Sequence, residues 1–137
     1  MAVLYITSSE EGAGKTTICA GLGKHLLADG KKVGFFKPII ADRGNLPLEV
    51  IDSDAVFMKE ILALEEPIDS LCPVIGDQNK LADRVKQAYA RVSTGKEVVI
   101  VEGVGEPSIA EALDARVIIV EGYSEELSKA KFIAGYK

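Results

Sequence analysis

The sequence predicts an α/β fold in which a parallel β-sheet is covered by helices on both faces. Four short runs of apolar residues are separated by segments whose apolar residues recur with helical spacing. Strands without polar alternation are typical of parallel sheets, because both of their faces are buried. The predicted strands are 3–6, 33–36, 98–101 and 117–120.

The composition predicts one globular domain and excludes two classes of partner. The chain has 137 residues, of which 47% are hydrophobic and 27% charged, as in ordinary folded domains. A net charge of -5 argues against nucleic acid as the main partner, because such proteins usually carry a basic surface. No apolar run approaches the ~20 residues of a membrane helix. We therefore predict a cytoplasmic protein with no membrane partner.

The first strand is followed by a glycine-rich loop and then by a helix predicted at 16–28. The loop at 8–17 reads SSEEGAGKTT. Its glycines let backbone N–H groups point inward, where they and the start of the helix can surround phosphate oxygens. We expect Lys15 to neutralise the outer phosphates and the Thr16 hydroxyl to bind Mg²⁺. The residues predicted to bind the nucleotide are Glu11, Gly12, Ala13, Gly14, Lys15, Thr16 and Thr17.

The second strand is predicted to end at Lys37, because Pro38 cannot continue a central ladder. Residues 41–51 are predicted to form a loop, Ser53 to cap the second helix, and 65–78 to form a connector. Apolar residues at helical spacing predict one packed face on each of the first two helices. They are Ile18, Leu22 and Leu26 in the first helix, and Phe57, Ile61 and Leu64 in the second.

The second half of the chain continues the alternation of helix and strand. An amphipathic helix follows the connector, and a last helix is predicted at 124–134. The stripe of the amphipathic helix consists of Leu81, Val85, Ala88 and Val92. The two cysteines, Cys19 and Cys72, lack metal-ligand spacing and are predicted to be small apolar fillers.

Three more side chains are candidate binding residues at the edge of the sheet where the loop lies. Glu102 ends a buried strand, and ligands of open α/β sheets bind where the strands end. Lys37 ends the second strand at this edge, where it is placed to reach a phosphoryl group. Asp54 lies in the first turn of the second helix, and spacing alone does not choose it over Asp52 as a metal ligand. Each of these residues also has a purely structural explanation. Glu102 could be an acidic residue in a turn, Lys37 a solvated lysine at the end of a strand, and Asp54 an aspartate stabilised by the helix dipole.

Four motifs occur in an order that resembles the dethiobiotin synthetase-like ATPases. They read ITSSEEGAGKTT, VGFFKPI, DSDAVFMKEIL and VVIVEGVGE, and the resemblance runs from Met1 to about Val120. The chain is most similar to the members that form the N-terminal domain of some phosphate acetyltransferases and related regulatory proteins. This resemblance implies a P-loop NTPase with three layers, α/β/α.

The resemblance also implies a role for five side chains. It implies that Lys15 and Thr16 bind ATP and Mg²⁺, and that Lys37 contacts phosphate or substrate. It implies metal binding by Asp54 and Glu102. We therefore predict ATP and Mg²⁺ as cofactors, with Lys15 and Lys37 as catalytic residues. Family members are commonly homodimers, so the resemblance implies a homodimer.

The departures from the family favour one of two functions. The enzymes carry small hydroxylated residues after the lysine-proline pair, whereas Ile39 and Ile40 follow it here. Family members also continue beyond the position of Lys137, so we expect a piece of a longer chain that lacks the C-terminal part of the fold and has a C-terminal domain as a further partner. These points favour a nucleotide-binding or regulatory module. The alternative is an ATP-dependent ligase that phosphorylates a carboxylate or carbamate for attack by an amine, as in dethiobiotin or cobyrinic acid diamide synthesis.

Overall fold

The computed structural model of the chain describes residues 2–8, 14–40, 52–76, 80–103 and 107–120. The strands are β1 (Ala2–Thr7), β2 (Val33–Phe36), β3 (Ile39–Ile40), β4 (Val74–Ile75), β5 (Val98–Glu102) and β6 (Arg116–Ile119). The helices are α1 (Lys15–Ala28), α2 (Ser53–Ile61), α3 (Ile68–Leu71), α4 (Leu81–Ser93) and α5 (Pro107–Ala112). The helix predicted at 124–134 and the loop predicted at 41–51 lie outside the described residues.

The main sheet has four strands in the order β2-β5-β1-β6, and every pair in it is parallel. This confirms the predicted α/β fold with a parallel sheet. The register pairs Phe36 with Val101 and Ile6 with Glu102. The ends of β2, β5 and β1 therefore lie side by side at one edge of the sheet, and Lys37 follows β2 directly at that edge.

Helices cover both faces of the sheet, and two glycines show which helix covers which face. A Cβ on Gly23 of α1 would lie 3.4 Å from the side chain of Ile100. A Cβ on Gly34 would lie 3.3 Å from the side chain of Val99 and 3.1 Å from the carbonyl oxygen of Val92 in α4. Because Val99 and Ile100 are successive residues of β5, their side chains point to opposite faces. Hence α1 and α4 pack on opposite sides of the sheet.

The packed faces predicted for α1 and α2 are correct in part, because Leu22, Leu26 and Ile61 pack against the core and Leu64 is buried. Ile18 and Phe57 were predicted to pack but are 45% and 44% exposed. In α1 the fully packed positions are Cys19 and Gly23, and in α2 they are Ala55 and Met58. The small residues of α1 let this helix approach the sheet closely, so its packed face contains few of the large apolar residues that the spacing emphasised.

The region predicted as a connector at 65–78 contains α3 and β4, so this prediction is wrong in part. The strand β4 pairs with β3 in a second, two-stranded parallel sheet that begins directly after Lys37 and Pro38. The backbone N–H of Lys37 donates to the carbonyl of Leu71 at 2.7 Å, and that of Ile39 donates to the carbonyl of Pro73 at 2.8 Å. These bonds fix the chain on both sides of Lys37. None of the helices in the described part of the chain is both long and apolar enough to cross a membrane.

Candidate nucleotide site

The candidate site lies at the edge where the central strands end and where α1 begins. The residue before α1 is Gly14, whose φ of 87° lies in the left-handed region that favours glycine. Lys15 and Thr16 form the first turn of the helix, and the exposed Thr17 follows them. Of the predicted loop residues, Glu11, Gly12 and Ala13 lie outside the described part of the chain.

A hydrogen bond between Thr16 and Glu102 connects the predicted phosphate loop with the predicted metal ligand at the end of β5. The Thr16 hydroxyl donates a hydrogen bond of 2.6 Å to Glu102 Oε1, across 86 positions of sequence. Glu102 is only 1% exposed, which is unusual for a carboxylate. Its other oxygen, Oε2, forms an ion pair with Lys37 Nζ at 3.1 Å but accepts no hydrogen bond from the described residues. One buried carboxylate oxygen therefore has hydrogen-bonding capacity to spare.

The side chain of Lys15 crosses from α1 to the end of β5. Its ammonium group donates to the carbonyl oxygen of Gly103 at 3.0 Å. The N–H of Gly103 donates in turn to the carbonyl of Ile6 at 2.7 Å, which extends the pairing of β1 with β5 beyond Glu102. The Lys15 ammonium thus lies at the same edge of the sheet as the Thr16–Glu102 pair.

Lys37 is surrounded by three carboxylates. Its ammonium nitrogen lies 2.9 Å from Asp52 Oδ2, 3.1 Å from Asp54 Oδ2 and 3.1 Å from Glu102 Oε2. Burial by itself lowers the pKa of Lys37, but the hydrogen bond to Asp52 and the charge of Glu102 outweigh it and raise the pKa above its ordinary value. The structure therefore holds Lys37 in its charged form at the centre of an acidic cluster.

Asp52 belongs to this site, and sequence spacing had not separated it from Asp54. Asp52 Oδ1 accepts a hydrogen bond of 3.0 Å from the backbone N–H of Ala55 and therefore caps α2. The prediction that Ser53 caps this helix is wrong, because Ser53 is its first helical residue. The Asp52 side chain is 16% exposed and that of Asp54 is 45% exposed. Asp52 is thus the more enclosed of the two partners of Lys37.

The oxygen ligands of the site fit Mg²⁺ in part. Within the described ranges, no three His, Cys, Asp or Glu side chains form a group that could hold a metal ion by themselves. Mg²⁺ usually takes one or two carboxylates and completes its shell with phosphate oxygens and water. The Thr16 hydroxyl, Asp54 and Oε2 of Glu102 suit that requirement. They could hold Mg²⁺ together with a nucleotide, although not as an all-protein cage.

The charged groups of the site influence the pKa of both cysteines. The spacing of the cysteines in the sequence did not predict that they lie near this site. Each thiol is free and buried. Burial, followed by the charge of Glu102, raises the pKa of Cys19 to about 12. Burial, followed by the charge of Asp52, raises the pKa of Cys72 to about 12. Both thiols are protonated at neutral pH and serve as small apolar side chains beside the acidic cluster.

Comparisons with known proteins find a family model and several relatives that match the chain. A family model described as an AAA domain matches residues 2–133. The ATP-dependent dethiobiotin synthetase of Caldicellulosiruptor saccharolyticus is 30% identical over 118 residues, which cover 77% of this chain and 49% of that protein. The phosphate acetyltransferase of Pseudomonas aeruginosa is 30% identical over 147 residues, which cover 92% of this chain and 20% of that protein.

A third relative is the ATP-dependent dethiobiotin synthetase BioD 2 of Escherichia coli K12. It is 24% identical over 110 residues, which cover 74% of this chain and 48% of the relative. The chain therefore spans about half the length of the dethiobiotin synthetases that it matches. It spans a fifth of the phosphate acetyltransferase.

Proposed function

Because the chain belongs to the AAA-domain family, and within it to the dethiobiotin synthetase-like P-loop ATPases, we propose that it binds Mg²⁺–ATP at the carboxyl edge of its parallel sheet. One observation carries the proposal. The 2.6 Å hydrogen bond from Thr16 to Glu102 brings the end of the phosphate loop and the end of β5 together. A hydroxyl at the start of a helix and a buried carboxylate at the end of a strand suit a Mg²⁺ ion that is bound together with phosphate oxygens.

The proposal gives each predicted site residue a role. Lys15 and Lys37 supply positive charge to the outer phosphates, because phosphoryl groups are stabilised chiefly by positioning and electrostatics. Thr16, Asp54 and Glu102 hold Mg²⁺. When bound, the metal neutralises charge on the phosphate oxygens. The loop residues Glu11, Gly12, Ala13, Gly14 and Thr17 belong to the same nucleotide site.

Isothermal titration calorimetry with Mg²⁺–ATP tests the proposal. We expect Lys15→Ala to abolish measurable binding, because it removes the ammonium group beside the phosphate loop. Lys24→Ala is the matched control, since Lys24 is an exposed lysine of the same helix and lies two turns from the site. Equal affinity of the wild type and Lys15→Ala would overturn the site assignment.

We propose a nucleotide-binding or regulatory module as the role of this site. Ile39 and Ile40, which follow the lysine-proline pair, are hydrogen-bonded into the β3–β4 sheet and offer no hydroxyl group to a substrate. The match to one fifth of a phosphate acetyltransferase supports a module that acts beside another domain. A homodimer in the cytoplasm is part of this proposal, and light scattering coupled to size-exclusion chromatography measures the oligomeric state.

A ligase is the second candidate function, and the position of Lys37 favours it. Lys37 lies at the same edge of the sheet as Lys15 and Thr16. A residue that contacts a transferring phosphoryl group has to lie at this edge. Steady-state phosphate release with a panel of diamines and dicarboxylic acids separates the two functions. Substrate-dependent release well above that of Glu102→Gln supports the ligase, and release at the level of that variant supports the module.

A further inference from the structure

The ammonium group of Lys37 lies among the same carboxylates that the proposed function assigns to the metal. It is 3.1 Å from Asp54 Oδ2 and 3.1 Å from Glu102 Oε2. A divalent cation bound to these two side chains would lie only a few ångströms from the ammonium group, since metal–oxygen distances for Mg²⁺ are about 2.0–2.1 Å. Two positive charges at that separation repel each other strongly in a partly buried site. The ammonium and the metal therefore compete for the same two carboxylates.

We propose that Lys37 is the resident cation of the metal site, and that a divalent cation binds there only after Lys37 has been drawn away. This inference rests on the proposed function for the assignment of Asp54 and Glu102 as metal ligands. The anionic phosphates of a nucleotide draw Lys37 away, because they offer it a new partner. Nucleotide and metal then bind cooperatively, and Lys37 carries the coupling between them.

Asp52 is the positioning residue in this exchange. Its two oxygens lie 3.2 Å and 2.9 Å from the Lys37 ammonium, and the same carboxylate is fixed by its bond to the N–H of Ala55. Asp52 is not among the proposed metal ligands, so it can hold the lysine near the site while Asp54 and Glu102 are released. The ammonium also lies 3.1 Å from Glu102 Oε2, so this contact must be lost before a metal can bind to that oxygen.

The test is Mn²⁺ binding in the absence of nucleotide, measured by the electron paramagnetic resonance signal of the free ion. We expect Lys37→Met to bind Mn²⁺ at least about tenfold more tightly than the wild type, the effect of one close charge pair. Lys37→Arg keeps the cation and should bind as weakly as the wild type. Lys24→Met removes one exposed charge from α1 and should not change the affinity. Equal Mn²⁺ affinity of the wild type and Lys37→Met overturns the inference.

Protein stability provides a second readout. Without its internal cation, the acidic cluster of Lys37→Met should be less stable, and Mn²⁺ should raise the Tm of this variant more than that of the wild type. If Lys37→Met does not fold, Lys37→Gln replaces it in both measurements, because the glutamine amide can still donate a hydrogen bond to Asp52. An equal rise in Tm for the wild type and the charge-free variant counts against the inference.

The outcomes separate this inference from the proposed function. A chain that binds no ATP, yet gains Mn²⁺ affinity on loss of Lys37, keeps the competition between Lys37 and the metal but overturns both the proposed function and the coupling to nucleotide. A chain that binds Mg²⁺–ATP without such a gain keeps the proposed function and overturns the inference.

Discussion

The ring of Tyr5 occupies the space that a side chain at position 103 would need. A Cβ on Gly103 would overlap the end of the ring and lie 2.6 Å from both Cε1 and the hydroxyl oxygen. Tyr5 itself is fully buried in β1. The glycine after Glu102 is thus required by close packing. This packing bears on the candidate site, because the carbonyl oxygen of Gly103 accepts a hydrogen bond from the Lys15 ammonium group.

Gly103→Ala should lower the free energy of unfolding by about 1–3 kcal/mol, the usual effect of forcing an extra methyl group into a packed core. Gly21→Ala is the matched control, because a Cβ at this position in α1 meets no atom within 4 Å. We expect that control to raise the free energy of unfolding by about 0.5–1 kcal/mol, since alanine favours a helix more than glycine does. Urea denaturation measures both, and a stabilising effect of Gly103→Ala would contradict this account of the site.

The sequence predicted the strands of the main sheet well, and the reason is physical. The run from Val98 to Val101 is buried on both faces, so its composition alone distinguishes it from a surface strand. The short strands β3 and β4 could not be predicted, because each has two residues and exists through its pairing with the other. A strand of two residues has no periodicity to detect.

The site was predictable in its residue types but not in its contacts. Strand order and register bring Lys37 to Glu102, and neither can be read from residue spacing. The choice between Asp52 and Asp54 had the same difficulty, because both precede the same helix. The structure shows that both contact Lys37. Ser53 was a reasonable cap by residue type, but the helix begins one position earlier than a serine cap requires.

Substitutions at the start of α2 test which residue caps it. Asp52→Ala should be about 1 kcal/mol less stable than Asp52→Asn, because asparagine can still accept the bond from the N–H of Ala55. Ser53→Ala should change the free energy of unfolding by no more than about 0.5 kcal/mol, as exposed substitutions usually do. Chemical denaturation of the three variants measures these differences. A larger loss in Ser53→Ala than in Asp52→Ala would restore Ser53 as the cap.

The raised pKa of Lys37 predicts how stability responds to alkaline pH. Lys37→Met should lower the free energy of unfolding by about 1–3 kcal/mol at pH 7, because Glu102 loses its buried ion pair. Since the folded pKa lies above the ordinary value of 10.5, this contribution is fully present below pH 10.5 and is lost as pH rises through the folded pKa. The difference between wild type and variant should therefore be constant from pH 7 to 10. A difference that falls within this range would show that the ammonium is not held in its charged form.

The buried thiol of Cys19 predicts a second and separate dependence on pH. Its pKa is 9.0 when unperturbed and about 12 in the folded chain, because burial disfavours the thiolate. The unfolded chain loses this proton first, so the stability due to Cys19 is present below pH 9 and is lost as pH rises toward 12. One such thiol changes the free energy of unfolding by about 1.4 kcal/mol per pH unit in that interval.

Cys19→Ala isolates this effect, because every other titrating group is common to both proteins. At pH 8 the variant should be less stable than the wild type, since the smaller alanine leaves a cavity beside the sheet. Between pH 8 and pH 10 the difference in free energy of unfolding between wild type and variant should shrink by about 1.4 kcal/mol, because the unfolded wild type gains a thiolate that the variant lacks. Urea denaturation at the two pH values measures the change. A thiol that reacts with an alkylating reagent in the native protein at pH 8, or a difference that stays constant, would show that Cys19 is not the enclosed apolar side chain described above.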